Sequence, residues 1–89
     1  MKDNDIKANS LLEAVCHSLL KRREQLQLSQ EELANRSGLD RTYISDIERC
    51  ARNPSLITLV RLAYALQTTP SALVRSGEAK LAAIPVVSD

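Results

Sequence analysis

A short stretch of the chain carries most of the side chains that could make directional polar contacts with a partner. Residues with arginine, hydroxyl or carboxylate groups recur there at offsets of three and four, at Arg41, Thr42, Ser45, Asp46 and Arg49. If the stretch is a helix, these offsets place all five on one outward stripe, with Ile44 and Ile47 on the buried side. Such a stripe offers hydrogen-bond donors and acceptors to a large partner.

Two helices with a tight corner are predicted around this stripe. Ser29 is placed to cap the first helix, and Glu32 stands three residues later, where a capping-box partner reaches back. Gly38 ends that helix, because glycine adopts a left-handed backbone at little cost. Asp40 then caps the second helix. A helix, a glycine corner and a second helix with a polar stripe is the helix-turn-helix pattern.

This segment resembles the DNA-binding domain of the phage Cro and repressor proteins, the XRE family. The matching runs are Leu-Ser-Gln-Glu-Glu-Leu-Ala at 28–34, Ser-Gly-Leu at 37–39, Tyr-Ile-Ser-Asp-Ile-Glu-Arg at 43–49 and Arg-Asn-Pro-Ser-Leu at 52–56. With the hydrophobic helix that follows, the resemblance covers roughly residues 19–75. It implies an all-α fold, a five-helix phage-repressor-like DNA-binding domain with the helix-turn-helix as helices 2 and 3.

The resemblance places the second helix of the motif in the DNA major groove, where base edges display distinct donor and acceptor patterns. Its N-terminal residues lead, so Arg41 and Thr42 are expected to meet bases first, with Ser45 and Asp46 one turn deeper. Arg41 suits a bidentate contact to guanine. Asp46 either accepts from a cytosine amino group or orients a neighbouring arginine, and the second role is favoured.

Contacts to phosphates fix the register of such a protein on DNA without reading its sequence. The resemblance implies this role for Gln30, at the N-terminus of the first motif helix, where free N–H groups and the helix dipole favour an anion. The other candidates are Tyr43, Arg49, Arg52 and Asn53. The alternative for Tyr43 is a ring that packs on the flank of the domain with its hydroxyl in water, and the two roles are compatible.

An ion pair is also implied by the resemblance. In the XRE family an arginine late in the first helix pairs with a glutamate late in the recognition helix, and the matching residues are Arg23 and Glu48. Glu48 lies four residues after the inward Ile44, and an inward carboxylate needs a partner. Cys50 stands where the family often has glycine, so a left-handed backbone there would cost ~1 kcal/mol.

Composition restricts the class of protein. The formal net charge is only +1, so any positive potential towards DNA has to come from charges arranged on one face. Cys16 and Cys50 show no metal-binding spacing, and the single histidine, His17, has no arrangement of catalytic partners. We therefore expect no metal, no cofactor and no enzymatic activity. Without an apolar signal region or an apolar run of ~20 residues, the chain is predicted to be cytoplasmic and to avoid membranes.

Helix-capping and helix-breaking residues set the predicted bounds of the other helices. Residues 1–9 are expected to form a flexible N-terminus, because a capping box at Ser10 opens the first predicted helix. A fourth helix with a wide apolar face should be the centre of the core, and a short fifth helix runs from Pro70 to about residue 75. The domain then spans residues 10–76, and residues 77–89 form a C-terminal tail that is either frayed or a short helix.

One such module makes few contacts with DNA, so a symmetric dimer on two half-sites is expected. The fifth helix and the loop before it offer an apolar surface, since the adjacent residues 73 and 74 cannot both point into one core. The predicted interface consists of Leu66, Thr69, Pro70, Leu73 and Val74.

Together these features predict a sequence-specific transcriptional regulator that binds a pseudo-palindromic operator in double-stranded DNA as a homodimer. Small proteins that resemble the family include phage repressors, restriction–modification controller proteins and antitoxins, and the sequence does not choose among them, nor between activation and repression. The alternative is an antitoxin or interaction module whose main partner is another protein. A toxin or RNA polymerase is an example of such a partner.

Overall fold

The computed structural model describes residues 2–83, which form five helices and no strand within that range. The helices are α1 (Asp3–Gln25), α2 (Gln30–Ser37), α3 (Arg41–Glu48), α4 (Leu56–Ala65) and α5 (Pro70–Ala83). Helices α1 and α5 pack along each other, α2 and α3 form the corner, and α4 packs against both α2 and α5. The predicted all-α fold, with the helix-turn-helix as its second and third helices, is confirmed.

Helix α1 is longer than the sequence pattern indicated. It begins at Asp3 rather than at Ser10, so Ser10 lies inside the helix and does not cap it. Asp3 and Asp5 occupy the first turn, where carboxylates interact favourably with the positive end of the helix dipole. Residues 2–9 are all exposed, so this part of α1 is helical but lies outside the core.

Helix α5 also continues beyond its expected end near residue 75. It passes through Gly77 and reaches Ala83, which agrees with the helical alternative for the first part of the tail. A Cβ atom on Gly77 would lie 2.9 Å from Val15 Cγ2 and 3.1 Å from the Val15 backbone nitrogen. Glycine therefore lets α5 approach the backbone of α1 closely. The remainder of the predicted tail, residues 84–89, lies outside the described residues.

Aliphatic side chains from all five helices build a single core. This agrees with a sequence that has no Phe and no Trp. The most deeply buried side chains are Cys16, Leu19, Leu33, Ile44, Ile47, Leu62 and Leu66.

Two residues of the predicted dimer interface belong to this core. Leu66 is 0% exposed and Leu73 is 4% exposed, so neither can meet a partner chain while the domain stays folded. That part of the interface prediction is wrong, because the turn between α4 and α5 directs both leucines inward. Of the other three residues, Thr69 is exposed, whereas Pro70 and Val74 are half-buried.

Helix α4 divides its apolar residues between two faces. Leu62 and Ala63 point into the core. Leu56, Ile57 and Tyr64 are 75%, 67% and 64% exposed. With the half-buried Val60 they form an apolar strip along the outer side of the helix, called here the α4 strip (Leu56, Ile57, Val60 and Tyr64). Only part of the wide apolar face predicted for this helix therefore packs into the core.

The backbone is left-handed at Cys50, just after α3. Its φ is 57°, in the region that β-carbon-bearing residues seldom adopt. The strain anticipated for a non-glycine residue at this position is therefore present. Cys50 is half-buried and packs against the core.

Candidate nucleic-acid interface

A complete capping box sets the start of α2. The Ser29 hydroxyl accepts from the Glu32 backbone N–H at 3.0 Å, and the Glu32 carboxylate accepts from the Ser29 N–H at 3.1 Å. These bonds hold the pKa of the Glu32 carboxyl below its usual value. At the other end, Gly38 has a φ of 72° and closes the helix. The chain can then turn sharply into α3.

Helix α3 is fixed by a cap at its start and by two buried isoleucines. The Asp40 carboxylate accepts from the Thr42 N–H at 2.9 Å. Ile44 and Ile47 are each 1% exposed. Because these two face the core, the opposite side of α3 faces solvent, with Arg41 and Thr42 exposed at its N-terminal end.

A cleft of about 160 Å³ lies between the start of α2 and the outward side of α3. Its lining residues are Gln30, Arg41, Thr42, Ser45, Asp46 and Arg49. The structure thus brings together all four predicted base-contact residues and two of the predicted phosphate-contact residues.

Asp46 is surrounded by arginines within this interface. One carboxylate oxygen forms an ion pair with Arg49, and the other lies 3.7 Å from Arg52 Nε. The Arg52 guanidinium in turn lies 5.5 Å from the centroid of the Tyr43 ring. Asp46 therefore contacts neighbouring arginines, as the favoured alternative expected. Tyr43 is half-buried and packs against the core on the flank of the domain.

A buried ion pair joins α1 to the end of α3. Arg23 Nε lies 2.6 Å from Glu48 Oε2, and Arg23 Nη2 lies 3.0 Å from Glu48 Oε1. Arg23 Nη1 also donates to the Leu28 carbonyl at 2.7 Å. The Arg23 side chain is 14% exposed and the Glu48 side chain 5%. The hydrogen bonds to Glu48 raise the pKa of Arg23 above its usual value.

Glu48 has a further partner that the sequence did not reveal. Gln30 Nε2 donates to Glu48 Oε1 at 2.9 Å, so the first residue of α2 is tied to the last residue of α3. No helical spacing relates these two positions, and only the folded corner brings them together. Gln30 therefore belongs to the same hydrogen-bond network as Arg23.

Comparison with known proteins assigns the fold to a family. The sequence model of the helix-turn-helix family matches residues 19–73, more than half of the chain. The chain belongs to the helix-turn-helix family, XRE type. The predicted family is therefore confirmed.

Two curated members of the family illustrate the relationship. Control protein C.SmaI of Serratia marcescens is 45% identical over 78 residues, which are 86% of this chain and 93% of that protein. The immunity repressor protein of Bacillus phage phi105 is 46% identical over 52 residues, which are 58% of this chain and 36% of that protein.

A solved structure with the same arrangement is that of the restriction-modification controller protein C.AhdI from Aeromonas hydrophila. It is 43% identical and superposes with a TM-score of 0.66 over 71% of this chain and 94% of that chain. Because the chain belongs to the helix-turn-helix family and its relatives are control and repressor proteins, it is a DNA-binding transcriptional regulator and not an enzyme. No helix within residues 2–83 is both long enough and apolar enough to cross a membrane.

Three predicted phosphate-contact residues of the helix-turn-helix protein lie outside the α2–α3 cleft. Tyr43 and Arg52 adjoin it through the contact of Arg52 with Asp46. Asn53 is exposed in the loop between α3 and α4. Arg52 and Asn53 therefore extend the polar surface into the loop beyond the end of α3.

Proposed function

We propose that this helix-turn-helix protein is a sequence-specific transcriptional regulator of the restriction–modification controller type. It binds a pseudo-palindromic operator as a homodimer, with α3 in the major groove. The observation that carries the proposal is the α2–α3 cleft, which collects the candidate base contacts beside the N-terminus of α2. The identity to C.SmaI over nearly the whole of that protein supports the controller type. The protein would meet its operator in the cytoplasm.

The residues at the start of α3 would read bases. Arg41 and Thr42 are exposed there. An arginine paired bidentately with guanine gives ~1–3 kcal/mol of discrimination, and a threonine methyl suits the thymine methyl. Ser45 adds a hydroxyl one turn deeper. Asp46 acts through Arg49 and Arg52, because both of its carboxylate oxygens face their guanidinium groups.

Phosphate contacts would flank this reading surface. The Gln30 side chain is held by Glu48, so the backbone N–H groups of the first turn of α2 are the donors that reach a phosphate there. Arg49, Arg52 and Asn53 follow along the far end of α3, with the Tyr43 hydroxyl beside them. Arg49 and Arg52 face Asp46, and the exposed Arg41 adds a third arginine to this face, although the whole chain carries only +1.

The homodimer would form through the α4 strip. Four apolar side chains share one exposed face of a single helix, and a two-fold axis would pair that face with its own copy. The exposed Tyr64 can bury its ring in such an interface while its hydroxyl stays hydrated. Thr69, Pro70 and Val74, from the originally predicted surface, would contribute at most the edge of the interface.

Selection of bound sequences from a random DNA pool, followed by gel shifts at increasing salt, tests the proposal. We expect inverted repeats whose half-sites lie about one helical turn, ~34 Å, apart. Binding should weaken steeply with salt, because arginines that contact phosphates release counterions. Enrichment of no sequence, together with no salt-sensitive binding of duplex DNA, would favour the alternative of a module that binds another protein.

A further inference from the structure

A second polar cleft, of about 140 Å³, lies between α1 and α5. It shares no residue with the α2–α3 cleft, and the predicted DNA contacts do not use it. The polar side chains that line it are Ser18, Lys21, Arg22, Gln25, Thr68, Ser76 and Lys80. We call it the α1–α5 cleft.

Positive charge accumulates in this cleft without matching negative charge. Three of its lining residues are cationic, and no carboxylate is among its described lining residues. Arg22 donates to two neutral carbonyls, that of Leu66 at 2.9 Å and that of Gln67 at 3.0 Å, so its charge remains uncompensated. Lys21 has a carboxylate partner only outside the cleft, at 3.6 Å on the exposed surface of α1.

Lys80 has a hydroxyl group as its hydrogen-bond partner in the cleft. Its ammonium donates to the Ser18 hydroxyl at 3.1 Å, and Ser18 in turn donates to the Ala14 carbonyl at 3.0 Å. Within residues 2–83 no carboxylate lies at ion-pair distance from Lys80. Burial and then the charge of Lys21 lower the pKa of Lys80, which means that its surroundings disfavour its positive charge. A bound anion would reverse that effect.

The size of the cleft and its hydrogen-bond donors indicate which kind of anion it can bind. Ser76 lies 3.1 Å from Ser18, and with Thr68 it adds hydroxyl groups to the ammonium donors. A volume of about 140 Å³ leaves room for a small oxyanion such as phosphate. Lysines bind phosphate as point charges, and a dianion gains more from two of them than a carboxylate does.

We propose that the α1–α5 cleft is a binding site for a phosphate group, carried by inorganic phosphate or a small phosphorylated metabolite. The Lys21 and Lys80 ammonium groups approach the phosphate oxygens, and the Ser76 and Thr68 hydroxyls donate to it. This site does not depend on the proposed operator-binding role of α3.

Titration of the full chain with inorganic phosphate, followed by amide NMR at constant ionic strength, tests the site. We expect saturable shifts at Ser18, Thr68 and Ser76, half complete below ~10 mM phosphate, which is weak binding on the usual affinity scale. Lys80→Met and Lys21→Met should each weaken binding at least about tenfold, since each removes a charge-assisted contact. Lys7→Met is the matched control, because Lys7 is an exposed lysine of α1 away from the cleft, and it should bind normally.

The pKa of Lys80, measured from its side-chain carbon shifts, supplies a second measurement. Added phosphate should raise it, and Lys7→Met should not change that response. Linear shifts without saturation, or equal weakening by all three variants, would overturn the proposal. A response of the cleft amides to duplex DNA but not to inorganic phosphate would also overturn it, because the phosphate would then belong to the DNA backbone.

Discussion

Arg41 differs from the other arginines of the interface in its freedom to reach a base. Arg49 and Arg52 both face Asp46, whereas no ion pair holds Arg41 within residues 2–83. It is exposed at the first position of α3, next to the capping Asp40. In the proposed complex, a side chain at that position would enter the major groove first. At the scale of single residues, base reading and backbone contact should therefore be separable by mutation.

We predict that Arg41→Ala relaxes base preference at one position of each half-site, with a loss of ~1–3 kcal/mol of discrimination. Arg52→Ala should instead weaken binding to all sequences alike and lower the salt slope by about one, because a phosphate contact is lost. Binding to operator variants at several salt concentrations measures both effects. Arg75→Ala, an exposed arginine of α5, is the control. Full discrimination retained by Arg41→Ala would contradict the base-reading role.

The roles of single residues were predictable from the sequence where local backbone hydrogen bonding determines those roles. Ser29, Gly38 and Asp40 occupy the capping positions that the sequence indicated, since a cap depends on neighbours only a few residues away. The hydrogen bond from Gln30 to Glu48 could not be foreseen. It depends on the angle at which α2 meets α3, which no spacing in the sequence encodes.

At the scale of helices, the Arg23–Glu48 ion pair connects α1 to α3. We predict that Glu48→Ala destabilises the fold by roughly 3 kcal/mol or more, because a mostly buried guanidinium and the Gln30 amide lose their acceptor. Arg23→Met combined with Glu48→Leu should recover part of the loss, since no buried charge is left unpaired. Urea unfolding at fixed protein concentration measures the differences.

The matched control is the exposed pair of Lys21 and Glu24 on α1. Glu24→Ala should cost less than ~1 kcal/mol, because both groups of that pair are solvated. If Glu48→Ala and Glu24→Ala lowered the free energy of unfolding by equal small amounts, the Arg23–Glu48 ion pair would not stabilise the contact between α1 and α3.

Gly77 sets the distance between α1 and α5. We predict that Gly77→Ala destabilises the fold by ~1–3 kcal/mol, although alanine favours a helix, because its Cβ would overlap Val15 at both side chain and backbone. Glu78→Ala, an exposed neighbour on α5, should be close to neutral. Thermal unfolding of the two variants makes the comparison, and a stabilised Gly77→Ala variant would show that α5 can move away from α1 without loss.

The ends of α1 and α5 were less predictable than their centres. A helix in each region follows from apolar spacing, which is a local signal. The turns of α5 after residue 75 lie against α1 at Gly77 and Val15, a contact between positions far apart in the chain. The sequence pattern ended the fifth helix near residue 75 and left residues 77–89 as either a frayed tail or a short helix.

At the scale of the whole molecule, the α4 strip groups three large apolar side chains that the fold leaves exposed, those of Leu56, Ile57 and Tyr64. A small chain buries a limited fraction of its surface, and association is one way to cover the rest. The sequence predicted a homodimer through Leu66, Thr69, Pro70, Leu73 and Val74. The core takes two of these five, Leu66 and Leu73. Helices α4 and α5 each carry more apolar residues than one helix face can bury. Only the packing of the folded domain determines which of these residues remain exposed.

We predict that Ile57→Lys combined with Tyr64→Lys gives a folded monomer with sharply weakened operator binding. Both side chains are exposed, so the core is untouched, and four lysines would face each other across a symmetric interface. Sedimentation of this variant beside the unmutated protein measures its assembly, and circular dichroism checks that its helices remain. Val74→Lys, on the originally predicted surface, should stay dimeric. If the double variant stayed dimeric while Val74→Lys became monomeric, the interface would lie on α5 rather than on α4. The spacing of the operator half-sites would then have to be derived from a dimer joined through α5.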